Sequence, residues 1–439
     1  MQNGLEYPLQ PTDINRGFSH MARLPLEGYR VIDFGSAWAV PQMTHIAADM
    51  GAEVIKVESH LRVDYGRVAK VAVPKGVSVK TPADLAAFDP DQLETSPVFH
   101  IMNRDKRAIT VDFTKPRGAE LLRELCKKSD IVADNFTPGV LDKYGLGYDA
   151  LKAIKPDIIV VSLCFAGHTG PLKGTRGYAP IITALGGTDS LVGYHDEVNP
   201  CAMRFAYGDH VSATYGAYAM LAALVYRNHT GKGQYIDISE WEATTSLLGE
   251  PLMDYIMNGR IQRPRGNRDP MMAPHGFYPC KGDYQWVSIA VKTEEEWRSF
   301  CKAIGNPPWT KEARFSDLHS RLKNQDALDK LVSQWTIKYT PYEAMGILQK
   351  DGVAAAPFLI SKDQYHDPHF QARGTFVNVT HPKSGPEVLY GIPWKLSDTP
   401  GKVRSSGPLL GQDNEYVFKG LLGVSDDEFN KLVEEKVIF

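Results

Sequence analysis

Tyr29-Arg-Val-Ile-Asp-Phe34, Pro41-Gln-Met-Thr-His-Ile-Ala-Ala-Asp-Met50 with Gly51 behind it, and Glu53-Val-Ile-Lys-Val-Glu58 follow one another within thirty residues. The outer two are short β-type runs. The middle run has a proline where a first helical turn accepts one and a glycine where a helix stops. Strand, helix and strand at this spacing make a βαβ unit, so a parallel sheet is expected.

The same rhythm continues outward. Ala108-Ile-Thr-Val-Asp112 reads as a strand, and Pro116 opens a helix whose apolar face is Leu121, Leu122 and Leu125. Asp130-Ile-Val-Ala133 and Asp157-Ile-Ile-Val-Val-Ser162 are further strands, with helix Tyr148–Ile154 between them. The second is apolar on both faces, as a central parallel strand must be. Residues from about 60 to 100 carry Pro74, Gly76, Pro82, Pro90 and Pro97 and read as a long loop or insertion. The result is an α/β fold with a doubly wound, Rossmann-like parallel sheet.

At 439 residues the chain exceeds one small core. Its pattern divides into an N-terminal arm (1–25), a large α/β domain (26–240), a helix and linker (241–270), a small α+β domain (271–350) and a C-terminal segment (351–439) returning to the large domain. With 23% charged residues and a net charge of -3, it offers no footprint for nucleic acid or a membrane surface. No signal peptide is visible, and the uncharged helix from Val211 is too short and too rich in Ala and Gly to span a bilayer. Cys126, Cys164, Cys201, Cys280 and Cys301 are scattered and odd in number, which points to free thiols in a reducing cytoplasm.

Phe205-Ala-Tyr-Gly-Asp-His210 precedes that helix. Asp209 reads there as an N-cap, its carboxylate accepting from the first-turn N–H groups. The alternative to this plain structural role is an activated carboxylate, kept ionised by the helix dipole, with Gly208 leaving room for a ligand. Rival chemistry falls away. Gly145-Leu-Gly-Tyr-Asp-Ala150 has the dinucleotide spacing but follows a helical run, not a strand. Gly231-Lys-Gly233 lacks the rest of a phosphate loop, and no serine elbow is present. Pro368 separates His366 and His369, so no metal site is expected. Lys106, Arg107, Lys143 and Arg176 stand near the strand-end loops, where they could meet a phosphorylated ligand or simply solvent.

The order of motifs resembles the class III coenzyme A transferases, the family of formyl-CoA, carnitine and benzylsuccinate transferases. The resemblance is carried by Leu26–Phe34, Gly51–Glu58, Asn103–Asp112, Asp134-Asn-Phe-Thr-Pro-Gly139, Gly208-Asp209 and Gly231-Lys-Gly-Gln234, and it runs from about residue 26 to Leu410-Gly411. It implies that Asp209 is a nucleophile that forms an aspartyl-acyl anhydride and then an aspartyl-CoA thioester. It also implies CoA contacts at Trp38, Ala39, Val111, Asp112, Phe113, Thr114, Asn135, Phe136, Lys143, Arg176 and Tyr178. CoA and acyl-CoA are then substrates, with no tightly bound cofactor, and the partner is a second, interlocked copy or a related subunit.

Two features depart from the family pattern. Ser59 stands where some members have a phosphate-binding arginine, leaving His60 or Arg62 to replace it. Gly266–His275 replaces the glycine-rich loop of formyl-CoA transferase. The segment from Met253 to Cys280 is most similar to transferases of carnitine or aromatic dicarboxylates such as benzylsuccinate. There Met271, Met272, Phe277 and Tyr278 either line an apolar pocket or fill a core, and Arg263, Arg265 and Arg268 either hold a second carboxylate or face solvent. The related acyl-CoA racemases carry a Gly-His-Asp segment that corresponds to Gly177-Tyr-Ala179. Tyr178 is a poor base near neutral pH, so racemisation is disfavoured. A non-catalytic subunit of a heteromeric transferase is the remaining alternative.

Overall fold

Strand β1 (Arg30–Asp33), helix α1 (Ala39–Asp49) and strand β2 (Glu53–Glu58) form the expected unit, the two strands parallel with Ile32 opposite Ile55. A computed structural model describes residues 24–68, 90–195, 201–203 and 205–439. The arm expected over 1–25 lies almost wholly outside them, as do Pro74, Gly76 and Pro82 of the insertion.

Helix α2 (Pro97–Asn103), β3 (Arg107–Thr110), α3 (Pro116–Lys127), β4 (Ile131–Asp134), α4 (Tyr148–Ile154) and β5 (Ile159–Cys164) continue the alternation. With β6 (Tyr235–Ser239) they complete a parallel sheet in the order β3-β2-β1-β4-β5-β6. The chain winds outward from β1 to β3, then returns to β1's other side for β4. That reversal opens a crevice beyond the strand ends, where sheets of this kind bind ligands.

Alternate residues of each strand face opposite layers. Ile32, Ile55, Ile109, Val132 and Val160 pack with Leu121, Leu122 and Leu125 of α3. Val31, Val54, Ile131, Ile159 and Val161 pack on the other face with Val40, Met43 and Ala47 of α1. Each fully buried aliphatic side chain contributes roughly 1.5–3 kcal/mol.

Helices α5 (Ala179–Leu185), α6 (Tyr207–Thr230), α7 (Glu240–Thr245) and α8 (Gly249–Asn258) surround the β5–β6 edge. The helix expected over about 241–258 is therefore two. Thr244, Thr245 and Ser246 each bond backward to a carbonyl of the preceding turn, and Gly249 follows. Such back-bonding competes with the helical ladder and favours a break.

A three-stranded antiparallel sheet of β7 (His275–Pro279), β8 (Trp286–Ala290) and β9 (Ala354–Pro357) packs with α9 (Glu294–Ala303), α10 (Gln325–Thr336) and α11 (Pro341–Lys350) around Trp297, Phe300, Phe315 and Leu328. Tyr278 is buried in this core and donates to Asp329 at 2.8 Å, while Met271 is 59% exposed. The residues read as one apolar pocket thus divide between core and surface. A hairpin of β10 (Phe376–His381) and β11 (Gly385–Tyr390) follows.

The final forty residues close over β3. Asn414 Oδ1 accepts the Thr110 N–H, Asp112 donates its N–H to Val437 O, and Arg117 pairs with Glu428 of α12 (Asp426–Glu434). Val417, Phe418, Leu432 and Ile438 enter the same core layer as α3.

Candidate active site

The crevice begins at the turn after β1. Ser36 N donates to Asn135 Oδ1 at 2.9 Å, and Asn135 Nδ2 donates to Ser36 O at 2.8 Å. The loops after β1 and β4 are thereby clasped at the point where strand order reverses. Ala37 takes φ 68°, which is costly for an L-residue with a side chain. Asp64 holds it there by accepting the Ala37 N–H at 2.9 Å.

Beneath this loop lies a buried ionic network. Lys56 pairs with Asp64 at 2.6 Å and bonds Gly35 O, while Lys106 pairs with Asp33 at 2.7 Å and donates to Pro41 O and Asn103 Oδ1. Burial opposes the Asp33 charge, but Lys106 and Lys56 outweigh it and hold the carboxyl below its usual range. Burial pushes Lys106 down to about 8 against the pull of Asp33. Removing one member would strand a buried charge, so these groups act on the loop as a set.

A cleft of about 190 Å³ opens beside the clasp, lined by Phe34, Ser36, Arg62, Phe113, Phe136 and Tyr144 among others. The Phe113 ring meets Phe34, Phe136 and Tyr144 edge-on, with centroids 6.1, 6.2 and 5.3 Å away. The Arg62 guanidinium lies 5.4 Å from the Phe136 ring centroid, within cation–π range. Flat apolar walls with a cation at the rim suit an aromatic ring that bears anionic groups.

From the cleft the Ser36–Trp38 turn leads to Asp209. Trp38 Nε1 donates to His210 Nε2 at 3.0 Å, and His210 Nδ1 bonds Gln42 Oε1. With Nε2 accepting, the proton of the neutral imidazole sits on Nδ1, and burial lowers this histidine's pKa. The strap fixes the first turn of α6 against α1.

Asp209 is the third residue of α6, three positions past the capping residue, so it is not the cap expected of it. The helix starts at Tyr207 behind Ala206, which makes no side-chain cap bond. Burial raises the Asp209 pKa to about 6, with its own backbone N–H opposing the rise, so the dipole does not hold it in the ordinary carboxylate range. Oδ2 is shielded from solvent and has no hydrogen-bond partner. Gly208 serves packing rather than ligand access. A Cβ there would stand 2.4 Å from Ile182 Cγ2 and 2.9 Å from Thr244 Oγ1, so the glycine brings α5 and α7 up to α6.

The chain matches CoA-transferase family III over residues 26–414. It belongs to that family. It is similar to a succinyl-CoA–D-citramalate CoA-transferase from Chloroflexus aurantiacus, with 32% identity over 94% of this chain and 98% of that relative. The alpha subunit of a succinyl-CoA–L-malate CoA-transferase from Chloroflexus aurantiacus is 31% identical over 95% of this chain and 93% of its own. The crystal structure of a CaiB/BaiF family protein from Brucella suis superposes with a TM-score of 0.79 at 31% identity, covering 91% of this chain and all of that one. The protein is accordingly an enzyme of the CoA-transferase type, acting on CoA thioesters.

In this CoA-transferase, Asp112, Phe113, Thr114 and Phe136 come together in the cleft. Thr114 donates both N–H and Oγ–H to Asp112 Oδ1, a turn that aims Phe113. Val111 is fully buried and bridges Ile438, so its side chain belongs to the core. Asn135 spends its amide on Ser36, and Ala39 is buried in α1. Trp38 reaches the Asp209 side through His210. Lys143 stands exposed in a 3-10 turn next to Tyr144, while Arg176 and Tyr178 lie on an exposed loop, Tyr178 at the start of α5.

Three of the cations read near the site are committed elsewhere. Lys106 is locked onto Asp33, Arg107 pairs with Glu53 and Asp413, and Arg268 pairs with Asp326 and Asp329. Of the two replacements for the family arginine, Arg62 lines the cleft, whereas His60 stacks on Phe439. Asp33, Lys56, Asp64 and Glu240 escaped the sequence reading. For Asp33, Lys56 and Glu240 the signal was a charge inside, or directly after, a parallel strand, where charges are otherwise excluded; Asp64, six residues beyond β2, carried no such signal.

Proposed function

We propose that Asp209 is the covalent nucleophile of this CoA-transferase and that it passes CoA between dicarboxylic acids, with succinyl-CoA as donor. The reading is carried by one observation: a shielded carboxyl oxygen without a partner, on the first turn of α6, tied to the mouth of an aromatic, cation-rimmed cleft. The cleft would take the nucleotide end of CoA, with Arg62 meeting phosphate. The pantetheine arm would then pass Ser36–Trp38 toward Asp209.

Asp209 attacks the thioester carbonyl; the C–S bond breaks and CoA leaves as thiolate. The thiolate attacks the aspartyl carbonyl of the mixed anhydride, releasing the donor acid and leaving an aspartyl-CoA thioester. The acceptor carboxylate repeats the two steps in reverse and regenerates Asp209. Two features favour this route: burial makes the carboxylate more basic than an exposed one, and the α6 N-terminus offers N–H dipoles to a developing oxyanion.

Succinyl-CoA is proposed because two relatives bear it in their names. The acceptor is proposed to be a short dicarboxylate of the malate or citramalate kind, with benzylsuccinate and carnitine as the competing choices. Racemisation has less support, because His210 Nε2 already accepts from Trp38 and cannot take an α-proton in this arrangement. A second chain is proposed to cover α6 and α8, where Tyr218, Val225, Ile256 and Met257 are 58–74% exposed. That chain would be an interlocked copy or, as a relative named an alpha subunit suggests, a related subunit.

The test is to incubate the purified chain with succinyl-CoA, quench with hydroxylamine and map the modified residue by mass spectrometry. One adduct on Asp209 is expected. An unmodified Asp209, or transfer surviving in Asp209→Ala, overturns the mechanism. A panel of acceptor acids assayed with succinyl-CoA decides the acceptor, and activity appearing only with a second polypeptide would show a heteromer.

A further inference from the structure

One buried carboxyl near Asp209 has no part in the scheme above. Glu240 opens α7 directly after β6 and is only 7% exposed. Its helical turn is held against the first turn of α6: Thr244 Oγ1 donates to Glu240 O at 2.8 Å and is also the atom 2.9 Å from where a Gly208 Cβ would stand. The residue that follows Gly208 is Asp209. Two buried acidic residues thus stand on adjoining helical turns, near enough for the Asp209 charge to act on Glu240, and among the described residues no lysine or arginine pairs with either.

Two buried carboxylates that feel one another and have no cation beside them cannot both ionise cheaply, so the pair holds one proton. Its position follows from the surroundings. Burial and then the Asp209 charge push the Glu240 pKa well above the usual range, whereas Asp209 ionises at about 6. Near neutral pH the charge therefore sits on Asp209 and the proton on Glu240. The other titratable groups facing the pair are neutral or engaged. His210 is uncharged and bonded to Trp38 and Gln42. The Cys164 thiol of β5 is pushed up to about 12 by burial and neighbouring carboxyls. Asp237 of β6 accepts the His168 N–H, and Asp189 beyond α5 accepts from Thr183.

We propose that Glu240 is a second carboxyl of the catalytic centre, which stays uncharged and donates a hydrogen bond to whichever carboxylate occupies the pocket. In the resting enzyme that is Asp209, whose Oδ2 is the open acceptor. Once Asp209 is esterified its charge is gone, and the incoming acceptor carboxylate takes its place as the single anion. The reacting position beside Glu240 never has to hold two negative charges, and the Glu240 proton never leaves. An acceptor with a free carboxylate is thereby favoured over a neutral acyl acceptor such as an alcohol or amine. The proposal rests on the reading of Asp209 as nucleophile.

Glu240→Gln keeps a donor but cannot ionise; Glu240→Leu removes the donor. The Gln variant is expected to keep more of the parent kcat/KM than the Leu variant and to lose the alkaline fall in rate that Glu240 ionisation causes. The Leu variant is expected to raise the acceptor KM and lower kcat/KM roughly ten- to hundredfold, the scale of one lost hydrogen bond to a charged group. Infrared difference spectra at pH 7, parent minus Gln variant, should show the C=O stretch of a protonated acid, a readout independent of activity. A Leu variant with parental acceptor KM and pH profile overturns the proposal, as does a difference spectrum without that stretch. A parent enzyme that forms no Asp209 adduct overturns the nucleophile reading instead, and the infrared result then still reports on Glu240.

Discussion

Asp209 carries two consequences at the scale of one residue. Its carboxyl ionises at about 6 in the folded chain and near 3.8 when exposed, so ionisation costs the fold at most about 3 kcal/mol. The sign follows from a raised acid: the neutral form's contribution is full below about 3.8 and is lost as pH rises through about 6. Asp209→Asn is therefore expected to melt higher than the parent at pH 8 and alike near pH 3.5, as calorimetry would show. The same substitution is expected to lower kcat by roughly four orders of magnitude. In the parent, kcat/KM should fall on the acid side with a midpoint near 6 rather than near 4. Asp209 was singled out in the chain by the glycine before it and the uncharged helix after it, and the family resemblance implied the role proposed for it. That burial raises its pKa was not, because the residues that desolvate it come from other elements.

At the scale of elements, the site depends on how closely α5, α6 and α7 approach and on the clasp between two loops. Gly208→Ala would drive a methyl group into Ile182 and Thr244, and overpacking of this kind costs about 1–3 kcal/mol. A lower melting temperature together with a lower kcat is expected, since Asp209 moves with the turn. Asn135→Ala would leave the Ser36 N–H without its acceptor and Ser36 O with the Trp38 N–H alone, at about 1–3 kcal/mol. Because Ser36 lines the cleft, the expected signature is a raised KM for acyl-CoA, with kcat less affected. The strands and most helices were readable from apolar periodicity and from Pro and Gly punctuation. The break at 246–248 was not, because the local pattern stays helical while side-chain hydroxyls compete for the carbonyls.

At the scale of the whole molecule, the chain is tied together by contacts far apart in sequence. Removing residues 402–439 would withdraw Val417, Phe418, Leu432 and Ile438 from the α3 layer and leave Thr110 and Asp112 without their N–H acceptors. Such a truncation is expected to be insoluble or to lose its cooperative melt. The apolar face of α6 and α8 leads to a second expectation: sedimentation should give at least twice the mass of one chain, and Tyr218→Asp with Val225→Asp should reduce it or abolish soluble expression. By itself the chain determined the parallel α/β sheet, the kinship with CoA-transferase family III and the aspartate on which the chemistry is proposed to turn. These are written in local patterns of few residues, which fix backbone periodicity and turns wherever the segment lies. Only the tertiary structure decided that Lys106 is locked onto Asp33, that Arg62 is the cation at the cleft, and that the turn of buried Glu240 packs against that of Asp209. Burial and charge depend on neighbours brought from distant parts of the chain, and no local pattern records them. Asp209 keeps its place as the proposed centre of the site, now with a second buried carboxyl on the adjoining turn.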